Sequence, residues 1–327
     1  MSTSAMSSYE RSAWTASIER LNRHRESPIR QLASKATSPV REVLGGAWNK
    51  VPAHAGIEEQ IGRAMAGMKT VTFDPALRSV NAQRSLRRLG VEDSDDLKAL
   101  DLRTLDKSLP AVRTLYSGLA LAEGAGSALA VTGAEVATTV SAGVTVGVAA
   151  GAIAADAVAS MALMGRVIGH VAAGYGYDVR LPEEEAFALG IISLGTASTA
   201  AEKTAALTSL RRLTTQMMRQ VTWNELNRNA LVKVIDRIFL SLGEKLTKRK
   251  LAQAVPVAGV LINAGLSAHL VDTTYRAARD VYRLRFLSEK YGLDPREWVT
   301  DDASGGDDVL AEAMPELEIV DGGDSDG

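Results

Sequence analysis

The stretch that decides the fold covers residues 133–178 and reads GAEVATTVSAGVTVGVAAGAIAADAVASMALMGRVIGHVAAGYGYD. Within it, residues 136–155 carry no ionisable side chain and comprise seven Ala, five Val, one Ile, three Gly, three Thr and one Ser. Glycines recur there at intervals of four residues, at Gly143, Gly147 and Gly151. On a helix this spacing makes one smooth face, where a second backbone can approach closely. The stretch therefore predicts helices packed around a Gly/Ala-rich apolar helical hairpin.

The uncharged run at 136–155 is also long enough to cross a bilayer, which needs about 20 residues. Its six Val and Ile residues contribute only about −2 to −4 kcal/mol on an insertion scale, and the Gly, Thr and Ser residues offset much of that. Two interpretations stay open: a buried helical hairpin or re-entrant segment, which the small residues favour, and a true transmembrane span. A second uncharged run, 251–271, contains Pro256, which argues against a simple span there.

Apolar periodicity predicts a series of helices after this run. An apolar stripe continues from 152 to 174, where glycines are suited to a helix end. Pro182 is followed by three glutamates, which is typical of the first turn of a helix. Amphipathic patterns predict further helices at 201–221 and 222–250, and a final helix at 272–291. The predicted fold class is all-α, a multi-helix bundle.

The two ends of the chain differ from this centre in charge. Residues 1–54 are basic and predict an amphipathic helical arm, which lies either on a membrane or partner or on the body of the protein. Residues 55–292 make up the predicted helical domain, in which 91–106 is interpreted as a surface connection. Residues 293–327 are predicted to be a disordered acidic tail. Ten Asp or Glu and no Lys or Arg fall at 301–327, which leaves the preceding 300 residues at +8.

Composition argues against several classes of function. The chain has no Cys, so disulfides, thiolate catalysis and cysteine-based zinc sites are excluded. Its four histidines show no metal-ligand spacing, and neither a phosphate-binding loop nor a nucleophile elbow occurs. Basic residues are scattered with little aromatic interleaving, which argues against nucleic-acid binding. We therefore predict no cofactor and no metal site, and the N-terminus, which lacks a secretory signal pattern, predicts a cytoplasmic location.

Polar residues at apolar positions are the candidate sites. Asp156 interrupts an apolar helix and needs a partner there, for which Lys203, Arg166 and Asn263 are candidates. It is interpreted either as a polar contact that stabilises the fold or as a functional site. The full set of candidate functional or structural polar residues is Asp156, Tyr175, Tyr177, Asp178, Glu184, Asn263 and Arg285.

Several local patterns, in this order and spacing, resemble the EcsC protein family over roughly residues 55–292. They are Asp156 early in a long helix, Tyr175-Gly176-Tyr177-Asp178, Pro182-Glu183-Glu184-Glu185 with Phe187, Val255-Pro256-Val257-Ala258-Gly259 before Asn263, and Tyr282-Arg283-Leu284-Arg285-Phe286-Leu287. The family is named for a protein encoded beside an ABC transporter. The resemblance implies a helical, membrane-linked bacterial protein and carries over no catalytic residues.

The leading hypothesis is a non-enzymatic, membrane-associated protein of EcsC type, accessory to a membrane transport or envelope process. It would lie peripherally at the inner membrane face, with an integral span as the alternative. Its partner would be an anionic membrane surface or a membrane protein, and the sequence does not define an oligomeric state. The candidate lipid-headgroup contact is the cation cluster at Lys245, Lys248, Arg249 and Lys250.

Two other classes of function are kept as alternatives. One is a soluble, hydrolase-like enzyme in which Asp156, Asp178 and Glu184 converge around a buried pocket. The other is a soluble helical scaffold that binds a partner protein through an exposed apolar face.

Overall fold

The computed structural model describes residues 5–23, 62, 65–109, 144–218, 228–251 and 259–300. These residues contain helices and turns and no strand, so the all-α prediction is confirmed for them. The α-helices are α1 (Ser8–Asn22), α2 (Asp74–Arg78), α3 (Ala82–Leu89), α4 (Ser94–Ala99), α5 (Leu102–Ser108), α6 (Val144–Gly174), α7 (Pro182–Thr196), α8 (Ala200–Met218), α9 (Arg228–Leu251) and α10 (Gly259–Tyr291). A π-helical turn at Lys69–Phe73 precedes α2, and a 3₁₀ turn at Pro295–Trp298 follows α10.

Local sequence signals set several of these boundaries. Helix α1 starts with a capping box, in which the Glu10 amide donates to the Ser7 hydroxyl and the Ser7 amide donates to the Glu10 carboxylate. Helix α3 ends at Gly90, whose φ of 73° is the left-handed conformation that glycine adopts without strain. Helix α7 begins with Pro182 in its first turn, as predicted.

Helix α6 lies at the centre of the fold and packs against α2, α3, α7, α9 and α10. The apolar stripe predicted for it, Val158, Met161, Ala162, Val167 and Val171, is buried throughout. The helix begins at Val144, earlier than the predicted 152, so part of the uncharged run is helical. The rest of that run, before 144, lies outside the described residues.

Helix α10 is the longest element and runs antiparallel to α7 and to α1. Its 33 residues span about 50 Å. Arg285 contacts Glu184 near the start of α7, and Thr274 contacts Gly195 near its end. The predicted start of this helix at 272 was wrong, because α10 already begins at Gly259. Asn263 and His269, which with Pro256 argue against a simple membrane span, both lie within this helix, because single polar residues do not interrupt its backbone hydrogen bonds.

Glycines allow close helix contacts at described positions. A Cβ at Gly165 would lie 2.9 Å from the Phe73 ring, and one at Gly195 would lie 2.7 Å from the Thr274 Cα. A Cβ at Gly169 would lie 3.3 Å from the carbonyl oxygen of Leu77. At Gly195 the neighbouring atom is backbone, so a methyl group would have to displace α10, whereas at Gly165 it would have to move the Phe73 ring.

We expect Gly195→Ala to lower the free energy of unfolding by about 1–3 kcal/mol, because its methyl group would overlap the α10 backbone. Gly67→Ala is the matched control, since a Cβ there would meet nothing within 4 Å. That change should leave stability unchanged or raise it by up to about 1 kcal/mol, the helix-propensity difference between the two residues. Urea unfolding followed by circular dichroism measures both, and equal effects would contradict the close contact.

Two boundary predictions need correction. The segment 91–106 is packed rather than a surface connection, because Leu97, Leu102 and Leu105 are fully buried. The acidic tail was predicted to start at 293, but Trp298 is also fully buried and the packed chain continues to 300. In both cases a few large apolar residues hold a mostly polar stretch to the core. Residues 301–327, like the remainder of the N-terminal arm from 24 onwards, lie outside the described residues.

Candidate functional site

A buried ion pair joins α7 to the C-terminal half of α10. Arg285 Nη1 donates to Glu184 Oε2 at 2.9 Å, and Arg285 Nη2 donates to Glu184 Oε1 at 2.6 Å. Both side chains are only 6% exposed. Arg285 Nε also donates to Glu289 Oε1 at 2.9 Å. The guanidinium thus uses the two-pronged geometry that makes arginine–carboxylate pairs strong.

Aromatic rings enclose this guanidinium. Arg285 Cζ lies 4.0 Å from the ring centroid of Tyr177 and 4.7 Å from that of Phe187. Tyr282 stacks on Tyr177 at 5.3 Å between centroids. The faces of these rings attract a cation and exclude water from it.

The ionisation of the pair follows from its burial. Burial raises the pKa of Glu184, although Arg285 opposes the rise. Burial would lower the pKa of Arg285, but Glu184, Tyr177 and Glu289 together outweigh it and hold that pKa well above its ordinary value. The arrangement is therefore a neutralised charge pair that fixes two helices. We refer to Glu184, Arg285, Tyr177, Phe187 and Tyr282 as the aromatic ion-pair cluster.

A second polar centre is formed around Asp106, in α5. Its carboxylate accepts hydrogen bonds from the hydroxyls of Tyr9 and Tyr175, both at 2.6 Å. It also accepts from Arg283 Nε at 2.9 Å and lies 2.8 Å from Arg283 Nη2. Four donors thus converge on one carboxylate that is 8% exposed. Burial raises the pKa of Tyr175, and the charge of Asp106 raises it further, so this phenol stays a donor.

The Asp106 centre continues along α10 to α1. Asp280 accepts from Arg20 Nε at 2.8 Å and from Arg20 Nη2 at 2.7 Å. Arg283 Nη1 lies 3.7 Å from the same carboxylate. Arg20, Asp280, Arg283 and Asp106 therefore alternate in charge, and they join the N-terminal helix to α10 and α5.

Glu10 makes a third connection between α1 and α10. It is 2% exposed and accepts from Lys290 Nζ at 3.1 Å and from the Tyr291 hydroxyl at 2.8 Å. Burial alone would raise the pKa of Glu10, but the hydrogen bonds from Ser7, Tyr291 and Lys290 outweigh it and lower that pKa. Burial together with the bond to Glu10 raises the pKa of Tyr291 to about 12.

This arrangement predicts an acid-sensitive contact. A carboxyl group with a lowered pKa stabilises the folded state above its unfolded value, near 4.5, and that contribution is lost as the pH falls through the folded value. We expect Glu10→Gln to lower the free energy of unfolding by about 1–3 kcal/mol at neutral pH. The difference from the unmodified protein should shrink at a pH of about 3. Urea unfolding at both pH values measures this, with exposed Glu19→Gln on the same helix as control. A difference that stays constant with pH would refute the role of this carboxylate.

The π-helical turn places Lys69 among three carboxylates. Lys69 Nζ lies 3.1 Å from an oxygen of Asp74, 3.1 Å from one of Glu185 and 3.3 Å from one of Asp236. Burial would lower the pKa of Lys69, but these carboxylates raise it. One extra residue in a helical turn, which is what a π-helix contains, turns Lys69 toward α7 and α9.

The structure brings together three of the seven predicted site residues and places a fourth in the Asp106 centre. Tyr177, Glu184 and Arg285 lie in the aromatic ion-pair cluster. Tyr175 instead donates a hydrogen bond to Asp106. Asp178 instead pairs with exposed Arg180, two residues on in the same turn. The Asn263 side chain lies outside the described side chains.

The carboxylates of the enzyme alternative do not converge. Asp156 lies 18 residues before Gly174 on one continuous helix, about 27 Å from the end that leads to Asp178. Asp178 faces Arg180, and Glu184 is buried against Arg285. The described surface grooves run along α9 and beside α3, and neither is lined by these three residues. The structure thus offers no shared pocket for this set.

The remaining polar residues discussed from the sequence are Lys203, His170 and the cations at the end of α9. Lys203, considered as a partner for Asp156, donates instead to the carbonyl oxygens of Arg20 and Arg23 at the end of α1. Burial lowers the pKa of half-buried His170, and Arg166 lowers it further. Lys245 is exposed on α9, whereas the side chains of Lys248, Arg249 and Lys250 lie outside the described set.

Sequence reasoning missed Asp106, Asp280, Arg283 and Glu10. The one available signal was at Glu10, where Ser7 followed by Glu three residues later is a capping box. The other three lie on amphipathic helices among many charged residues. Nothing in their local pattern distinguishes them from solvated positions.

Within the described residues, one stretch is long and apolar enough to cross a membrane by length and composition alone. It is Ala154–Gly174, and 78% of the 18-residue window in it that meets these criteria is buried inside the protein. No group of three or more His, Asp or Glu side chains in the described part of the chain could hold a metal ion.

The fold and these clusters define a class: in its described residues, an all-helical protein whose longest helix, α10, is joined to α1, α5 and α7 by buried ion pairs. The family model of the EcsC protein family matches residues 130–287. This match confirms, over those residues, the resemblance drawn from the sequence. Curated proteins and solved structures give no match.

Proposed function

We propose that the protein is a non-enzymatic helical protein that associates peripherally with the inner face of a membrane, as an accessory to a transport or envelope process. The observation that carries the proposal is the order of charges at the end of α9. Exposed Lys245 is followed by Lys248, Arg249 and Lys250, and then at once by the uncharged run 251–271. A basic cluster beside an apolar segment is the pattern of a contact with anionic lipid headgroups.

The described ionisable groups support a non-enzymatic role. Glu184 and Asp106 are each neutralised by a buried arginine, at Arg285 and Arg283 respectively. Such pairs hold helices together, and neither of these two carboxylates is free to exchange a proton with a substrate. The groove along α9 contains Lys233, Asp236 and Leu240, and neither buried pair lines it.

The packing of α6 supports peripheral association rather than a span through this helix. Its apolar part, Ala154–Gly174, is mostly covered by other helices and would have to lose those contacts to meet lipid. The contact we propose therefore uses surface cations and helix ends. Such a contact is weakened by salt, because mobile ions screen charges that lie at the surface.

Cell fractionation tests the proposal. The full chain, produced in a bacterial host, should sediment with membranes at a salt concentration of about 0.1 M and be released at about 1 M without detergent. Release by detergent alone would favour an integral span. Quantitative recovery in the soluble fraction at the lower salt concentration would overturn the proposal.

A further inference from the structure

We infer that the protein meets a bilayer containing anionic phospholipid with one end of its helical bundle, at which α6 and α10 begin and α9 ends. This inference rests on the function proposed above and adds an orientation to it. It follows from the register of three helices, which the described side-chain contacts fix.

The first contacts show that α6 and α10 run parallel. The Thr274 hydroxyl donates to Met164 Sδ at 3.2 Å. Further along both helices, the ring of Tyr175 lies 6.3 Å from that of Phe286. From the first contact to the second, the residue number rises in both segments, from 164 to 175 and from 274 to 286. Helices α6 and α10 therefore start at the same end of the bundle.

The next contacts show that α9 runs antiparallel to α6. A Cβ at Gly243 would lie 3.7 Å from Met161 Sδ. Phe73 packs against Gly165 in α6 and lies 5.0 Å from the Phe239 ring in α9. Moving forward along α6 from residue 161 to 165 therefore corresponds to moving backward along α9 from residue 243 to 239. Helix α9 consequently ends where α6 and α10 begin.

These three helices extend beyond the level at which α7 ends. That level is marked by Gly195 against Thr274, with Met164 beside it. From there α6 continues for 20 residues to Val144 and α10 for 15 to Gly259, about 30 and 22 Å. By the same register α9 continues for about three turns to Leu251. We call this part of the bundle the three-helix end.

The composition of the three-helix end differs from that of the rest of the bundle. Residues 144–155 and 259–268 contain no ionisable side chain. The last three turns of α9 carry four cations, at 245 and 248–250. Among the described residues, the carboxylates at this end are those of Glu244, Asp156 and Asp272, and Asp272 pairs with Arg276 at 2.7 Å. The interhelical ion pairs described above all lie on the other side of the Gly195 level. One end of the bundle is thus apolar with excess positive charge.

This combination fits the interface of an anionic bilayer. Uncharged helix ends can enter the boundary between headgroups and acyl chains, where small and apolar residues are accommodated. Cations at the same level bind lipid phosphates and are attracted by the negative surface potential. The charge complementarity selects an anionic lipid surface rather than a neutral one.

Vesicle flotation with matched charge reversals tests the orientation. The full chain is mixed with phosphatidylcholine vesicles that either contain or lack phosphatidylglycerol. One variant is K248E/R249E/K250E at the three-helix end. Its control is R84E/R87E/R88E on exposed positions of α3, which changes the net charge equally and lies near the other end of α6. Circular dichroism verifies that both variants are folded.

We expect the unmodified chain and the α3 variant to float with phosphatidylglycerol vesicles. Reversal at 248–250 should lower the vesicle-bound to free ratio roughly a hundredfold, as expected when three cations near the surface are lost. If the α3 variant alone stops binding, the orientation is overturned while membrane association stands. If the unmodified chain does not float at all, the proposed function fails and the orientation fails with it.

A second measurement does not depend on charge reversal. Because the chain has no Cys, a single environment-sensitive fluorophore can be attached at T145C in the first turn of α6 or at Q83C on α3. Emission from the label at 145 should shift to the blue when phosphatidylglycerol vesicles are added, and emission from 83 should not. A shift at 83 without one at 145 would overturn the orientation.

Discussion

Arg285→Met is expected to lower the free energy of unfolding by about 3–5 kcal/mol, because it leaves the Glu184 carboxylate buried without its partner. Both side chains are 6% exposed, so water does not replace the lost hydrogen bonds. The aromatic rings of Tyr177 and Phe187 add to the loss, since they too contact the guanidinium. Chemical denaturation of the full chain measures the change.

The double variant Glu184→Leu/Arg285→Met separates charge from packing. When both charges are replaced by apolar side chains of similar size, stability should recover most of the loss. Exposed Arg180, which pairs with Asp178, provides the matched single control. Arg180→Met should change stability by at most about 1 kcal/mol, as is usual for a pair in contact with solvent. If Arg285→Met were as mild as Arg180→Met, the pair would not hold α7 against α10.

Asp106→Ala is the second change with a large expected effect, about 3–5 kcal/mol of lost stability. It removes the acceptor of two phenols at once and leaves the Arg283 guanidinium, 10% exposed, without its nearest carboxylate. Because the Tyr9 hydroxyl joins α1 to Asp106 in α5, the loss should also loosen the N-terminal helix from α5. Hydrogen exchange of α1 amides measures that second effect.

Two controls test the Asp106 centre. Asp101→Asn, at an exposed position just before α5, should change stability by no more than about 0.5 kcal/mol. Tyr175→Phe removes one of the donors and should cost only about 0.5–1.5 kcal/mol, the usual net value of one hydrogen bond. An Asp106→Ala protein as stable as Tyr175→Phe would show that the four donors do not act together.

The sequence was informative where patterns are local. Helical periodicity gave the core stripe of α6, and Pro182 with its glutamates gave the start of α7. It was uninformative where a contact joins distant segments. Glu184 was interpreted chiefly as a first-turn glutamate, and its partner lies 101 residues away in Arg285. Asp106 was interpreted as part of a surface connection, since no local pattern marks a carboxylate that four donors will bury.

The apolar central stretch shows both what the local sequence predicts and what it does not. Small residues predicted close helix contact, and Gly165 and Gly169 make such contacts with Phe73 and Leu77. The same residues did not reveal which end of the helix is covered. That depends on where α7 stops, which is a property of the assembled bundle rather than of any single segment.

The pairing of α1 with α10 has a consequence for how the chain is made. Glu10 and Arg20 bind residues 280 and 260 positions further on, so α1 leaves the ribosome long before its partners in α10. At about 5–20 residues per second, the wait between them is roughly ten to fifty seconds. During that interval α1, with its buried residues Trp14 and Leu21, lacks the α10 surface against which it packs in the finished fold. Helix α1 is therefore a segment of the nascent chain that a chaperone would be expected to hold.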